Sequence, residues 1–169
     1  MNKHTRYLVH GAIIAALYAA LTHAQNLLLP GSATWAIQMR LSETLCVLAF
    51  FTPAAIPGLA IGCLVFNLTY AAALPLDFVI GSAATALACG CMWLTRNVKV
   101  KGLPLPGLMM PALWNALLVG WELTAYIGGG FLLNALYVAI GEAAVLLVFG
   151  AMAYRMILKR GLDKRLFFV

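Results

Sequence analysis

Long apolar runs separated by short breakers occupy this chain almost from end to end. A surface helix of a soluble protein carries one apolar stripe, whereas these runs are apolar all the way round, as suits segments surrounded by lipid. With Pro, Gly and charged residues as punctuation, the pattern predicts six helices over about 6–24, 37–52, 55–73, 76–95, 105–127 and 131–157. The break between the second and third rests on the least. Residues 45–76 carry no charge, and only Thr52-Pro53 and Pro57-Gly58 interrupt the run. The first run follows Lys3 and Arg6 and has the outline of a signal peptide. It is nevertheless of span length with further spans behind it, and is taken as the first span.

Composition strengthens the membrane assignment. Of the 169 residues 64% are hydrophobic and 9% charged, and the mean hydropathy is +0.96. A soluble domain carries roughly 25% charged residues. The net charge of +6 does not point to nucleic acid, because the basic residues flank apolar runs in short clusters instead of sharing one polar face. Lys3 and Arg6, then Arg96, Lys99 and Lys101, then Arg155, Lys159, Arg160, Lys164 and Arg165 account for ten of the eleven. If all three clusters are cytoplasmic, an even number of spans separates each pair. Four spans before residue 96 and two after 101 satisfy this. The fold class expected is an all-α integral membrane protein, one domain over residues 1–169, with six transmembrane helices and both termini cytoplasmic. The segment 25–36, the turn at Ala73-Leu74-Pro75 and Gly128-Gly129-Gly130 then lie outside. The first of these suits either a lid or an ordinary interfacial loop anchored by Trp35. The four cysteines, Cys46, Cys63, Cys89 and Cys91, sit in apolar runs and are expected to pack there instead of binding metal or pairing.

The remaining charges carry the chemistry. Of five acids, Glu43, Asp77, Glu122 and Glu142 fall in or at the edge of spans, all toward the outer half. An ionisable group at bilayer depth costs several kcal/mol unless paired or hydrated, and so marks a functional site. Arg40, the one basic residue outside the clusters, is three residues before Glu43 and can pair with it. The last two helices echo each other, NALLVGWE over 115–122 and NALYVAIGE over 134–142. Asn115 and Glu122 share a helix face, and Asn134 and Glu142 lie on adjoining sectors of one. With Trp114, Trp121, Tyr126 and Tyr137 nearby, facing helices would offer carboxylates, amides and aromatic walls to a flat, nitrogen-rich molecule. In the first helix Ala12, Ala16 and Ala20 form a small-residue ridge with Gly11, Ala15 and Ala19 beside it, open equally to internal packing or to a partner. Without a G-x-x-x-x-G-K-[ST] phosphate loop the chain does not drive transport with ATP by itself. The histidines stop at residue 23 and no nucleophile–base set is visible, so catalysis is not expected.

RLSETL (40–45), FFTPAAIPGLAIGCLVFN (50–67), GSAATALA (81–88) and the two NAL segments resemble the QueT family, substrate-binding (S) components of energy-coupling factor transporters assigned to queuosine precursors. The resemblance covers nearly the whole chain. It implies a six-helix S-component fold in the plasma membrane, and partners in a membrane T component and two ATP-binding-cassette ATPases, which use the ATP; the chain itself binds no cofactor. It also implies that Ala12, Ala16 and Ala20 contact the T component, and that the whole subunit topples to release its ligand. The substrate implied is a 7-deazaguanine, for which Arg40, Glu43, Asn67, Trp114, Asn115, Glu122, Tyr126, Asn134, Tyr137 and Glu142 are the candidate residues. A carboxylate, Glu122 or Glu142, would accept the guanine-type N–H and amino group as a bidentate pair. Asn115, Asn134 or Arg40 would donate to the carbonyl, and Glu43 would suit a cationic substituent. An S component for another micronutrient, or a solo transporter relaying protons through Glu122 and Glu142, is the alternative.

Overall fold

The computed structural model describes residues 2–32, 37, 39–71 and 73–166. Helix α1 spans Lys3–Leu28, α2 Ala55–Thr69, α3 Asp77–Leu94, the single turn α4 Leu105–Leu108 and α5 Met110–Tyr126. Helix α6 runs over Phe131–Lys159 with a π-helical turn at Leu146–Gly150, and α7 is the short Leu162–Leu166. Between α1 and α2 lies a 3₁₀ helix, Leu41–Phe50. Helices α1, α3 and α6 are long and apolar enough to cross a bilayer; Leu41–Phe50 and α2 are apolar but shorter.

The described segments pack against one another as a bundle. Tyr7 reaches the carbonyl of Pro53, and Phe50 packs edge-on against Tyr154 at 5.6 Å, which gathers the start of α1, the end of the 3₁₀ helix and the end of α6. At the opposite end His23 meets Thr69 at 2.9 Å, joining the end of α1 to the end of α2. The basic residues Lys3, Arg6, Arg96, Arg155 and Lys159 belong to the first end. Arg96 caps α3 there, donating to the carbonyl of Trp93 and lying 3.9 Å over its ring. Leu8, Leu94, Leu132 and Val148 are among many large apolar side chains left exposed, the surface of a protein solvated by lipid.

The observed elements revise three boundaries. Helix α1 continues past 24 to Leu28, because nothing in HAQNLL breaks a helix before Pro30. The second segment, expected over 37–52 as an α-helix, is the ten-residue 3₁₀ helix. The stretched form rises about 2.0 Å per residue against about 1.5 Å in an α-helix, so a short segment crosses more of the bundle. The fifth is divided by Met109 into α4 and α5. The break expected at Thr52-Pro53 is present, and Pro57 sits in the first turn of α2, where its missing N–H costs nothing.

Glycines set the closest helix approaches. A Cβ at Gly58 would lie 2.7 Å from the carbonyl oxygen of Gly11, and one at Gly62 2.7 Å from that of Ala15 and from Tyr18 Cβ. A Cβ at Gly120 would meet Ala135 Cα at 2.8 Å, so the two echoing helices, α5 and α6, do face each other. The apolar core, including Ile14, Val47, Leu59, Met92, Leu108, Leu146 and Ile157, fills the bundle toward the basic end.

Candidate substrate-binding site

Polar side chains collect at the other end. Thr22, Gln25, Asn26, Arg40, Ser42, Glu43, Asn67, Asp77, Asn115, Glu122 and Glu142 are all buried. Their placement begins with α1, whose stripe Tyr18, Thr22 and Gln25 follows helical spacing and stitches the 3₁₀ helix in place. The Tyr18 hydroxyl donates to Glu43 Oε1, Thr22 Oγ1 to Ser42 Oγ at 2.7 Å, and the N–H of Leu41 to Gln25 Oε1 at 2.8 Å. Gln25 also donates to Ser32 Oγ and to the carbonyl of Met39. One amide thus pins both ends of the segment joining α1 to the 3₁₀ helix. Residues 33–36 of the proposed lid, Trp35 among them, lie outside the described residues.

Arg40 stands at the hub. It caps the 3₁₀ helix, its Cζ lies 6.0 Å from the centre of the Phe66 ring, and its Nη1 approaches Cys63 Sγ at 3.9 Å. Glu43 and Asp77 are within its electrostatic reach, as it is within reach of Glu122 and Glu142. Arg40 precedes the 3₁₀ helix in an extended conformation, and Glu43, three residues on, accepts hydrogen bonds from Tyr18 and Cys46 while staying within electrostatic reach of the guanidinium. Arg40 is the one basic side chain among the buried described residues. The cysteines are free, and two do more than pack. Cys46 donates to Glu43 Oε2 at 3.0 Å, and Cys63 receives Asn67 Nδ2 at 3.5 Å.

The four acids divide into two kinds. Glu43 is engaged by Tyr18 and Cys46, and Asp77 accepts from the N–H of Leu74 at 3.2 Å, closing the turn before α3. Glu122 and Glu142 are fully buried, yet none of their four carboxylate oxygens has a hydrogen-bond partner. Asn67 Oδ1, Trp114 Nε1 and both amide atoms of Asn26 are likewise buried and unpartnered. An orphaned buried polar group costs about 1–3 kcal/mol, more when charged. So many in one bundle make this buried polar set the candidate site.

Of the residues singled out from sequence, Arg40, Glu43, Asn67, Asn115, Glu122 and Glu142 meet in this buried set, with Trp114 half-buried beside it. Three do not join it. Asn134 spends its amide on Thr124 Oγ1 and the carbonyl of Gly128, both at 3.0 Å, tying the turn between α5 and α6. Tyr126 and Tyr137 are exposed, as is Trp121. Tyr18, Gln25 and Asn26 join the buried set without having been singled out from sequence, and Asp77, noted there among the four acids but not among the candidate ligand contacts, joins it too. The polar stripe in α1 was the available signal for the first three.

Comparison with known proteins finds no match among curated proteins or solved structures. A family model described as QueT transporter matches residues 8–159. That span takes in every polar residue of the buried set and the helices that carry them. The chain belongs to the QueT transporter family and is a membrane transporter protein.

Proposed function

We propose that this chain is the substrate-binding subunit of an energy-coupling factor importer in the plasma membrane, and that it captures a 7-deazaguanine. The observation that carries the proposal is the buried polar end of the bundle, where Glu122 and Glu142 hold four unpartnered carboxylate oxygens. Glu142 is within reach of Asn115. A carboxylate beside an amide matches the donor, donor, acceptor edge of a guanine-type base: two N–H groups to the acid, one carbonyl to the amide. Trp114 and Asn26 add a donor and an amide with no other use.

In this reading all six traversing segments cross the bilayer, with both termini and the basic residues on the cytoplasmic side and the polar end outside. The shorter segments cross with the help of their neighbours, since an unusual backbone is tolerated at depth when buried in protein. Energy comes from a T component and two ATPases. The exposure of the Ala12, Ala16 and Ala20 stripe supports such a partner. Internal packing is carried instead by Gly11 and Ala15, which meet Gly58 and Gly62 of α2. A ridge of small residues left uncovered lets another helix approach closely.

Uptake of a labelled 7-deazaguanine by cells that lack their own route is expected only when this chain is expressed together with a T component and both ATPases. Ala16→Trp is expected to abolish co-purification with the T component while ligand affinity stays within about twofold, the scatter typical of surface changes. Uptake by this chain alone would contradict the subunit assignment, and equal loss of binding and association would place Ala16 in the protein's own core.

A further inference from the structure

The buried carboxylates outnumber the buried cations, and their surroundings differ. Glu142 lies by the amide of Asn115, so acceptors and a donor stand together. Glu122 is within electrostatic reach of Asp77, so two acids bear on the same part of the bundle. Like charges held close together repel unless a proton or a cation lies between them. A further acceptor adjoins Asp77. Asn67 is 5% exposed, and its Nδ2 donates to the carbonyl of Asp77 at 2.9 Å. That bond fixes which end of the amide is which and leaves Oδ1 buried with no partner. Glu43, by contrast, is already taken by Tyr18 and Cys46. Among the described residues no three His, Cys, Asp or Glu groups are placed to hold a metal ion. An organic ammonium suits the place better, since its three N–H donors match an arrangement rich in acceptors.

We propose that Glu122, Asp77 and Asn67 form a cation subsite that takes an alkylammonium group of the ligand, separate from the Glu142–Asn115 pair that takes the edge of the base. This rests on the reading of the site as one for a 7-deazaguanine. It makes the subunit selective for charge on the substituent as well as for the base, and it moves the second acid from Glu43 to Glu122. The ligand also brings the positive charge that Arg40 alone does not supply to four acids.

The test is a calorimetric titration of the purified full-length chain with two ligands of nearly equal size. One is 7-aminomethyl-7-deazaguanine, cationic at neutral pH, and the other is its neutral 7-hydroxymethyl counterpart. The cationic ligand is expected to bind about tenfold to a hundredfold more tightly, the range of one charge-assisted contact. Glu122→Gln keeps the shape of the side chain and is expected to close most of that gap by weakening the cationic ligand more than the neutral one, with a cooperative thermal unfolding transition reporting an intact fold. Asp77→Asn is expected to narrow the gap in the same direction. Equal affinities for the two ligands in the unmodified protein would overturn the subsite. A gap that persists undiminished in Glu122→Gln would overturn its assignment to Glu122. Failure of both ligands to bind the unmodified protein would instead reject the deazaguanine reading itself.

Discussion

Replacing Arg40 with methionine is expected to destabilise the protein by about 3–5 kcal/mol, the cost of removing one partner from a buried ionic cluster. The guanidinium is 2% exposed and is the one cation among the buried described residues. Around it stand Glu43 and Asp77, with Glu122 and Glu142 also in reach. Methionine fills much of the same volume, so the loss would be electrostatic and not a cavity. Those acids would then face one another in a low-dielectric end of the bundle, and Cys63 would lose a contact. Thermal unfolding in detergent would show the effect as a large drop in midpoint. The double variant Arg40→Met with Asp77→Asn should recover part of it, because the second change removes one of the stranded charges and the two sites couple. An unchanged midpoint in Arg40→Met would mean that the guanidinium does not hold the cluster together.

The second large effect concerns ligand and not fold. Glu142→Gln is expected to weaken binding of a 7-deazaguanine by at least about tenfold to a hundredfold, since the new amide presents a donor to a donor and leaves buried groups unpaired. Stability should move the other way or stay level. Glu142 is fully buried with neither oxygen hydrogen-bonded, so in the empty protein the attraction of Arg40 offsets only part of the cost of burying it, and neutralising it removes the rest. Titration calorimetry and thermal unfolding on the same preparation would show weaker binding beside an equal or higher midpoint. Loss of both would identify Glu142 as a structural support instead. Among the buried acids this opposite response separates Glu142 from Glu43, whose two oxygens are already engaged within the protein.

The sequence carried the all-helical, apolar character of the chain well because lipid imposes a simple rule on run length, and three of the described helices are long and apolar enough to cross a bilayer. The pattern could not distinguish an α-helix from the 3₁₀ helix of LSETLCVLAF, whose residues form either. Contacts with α1 from twenty or so residues away accompany that choice: Tyr18 with Glu43 and Thr22 with Ser42. The acids were legible as a group because charge within apolar runs is rare. Which of them lack hydrogen-bond partners within the protein was not, because Glu43 and Asp77 find partners that no spacing announces, a tyrosine on another helix and a backbone N–H in a turn. The aromatic residues misled for a related reason. Tyr126 and Tyr137 are close in sequence to the Asn and Glu stripes, but a rotation of one or two residues around a helix puts a side chain on the opposite face, and both are exposed. The extra turn of α1 mattered most. It converts Gln25 and Asn26 from loop residues into buried members of the site.

The central claim is that the buried polar end, with Glu142 and Asn115 at its heart, recognises the edge of a 7-deazaguanine. Its most direct test is a calorimetric panel on the purified chain, comparing 7-deazaguanines with adenine and with unrelated vitamins. Sub-micromolar binding of a 7-deazaguanine is expected, with adenine at least about a hundredfold weaker because it cannot supply the paired donors. Tight binding of another vitamin with none of any deazaguanine would contradict it.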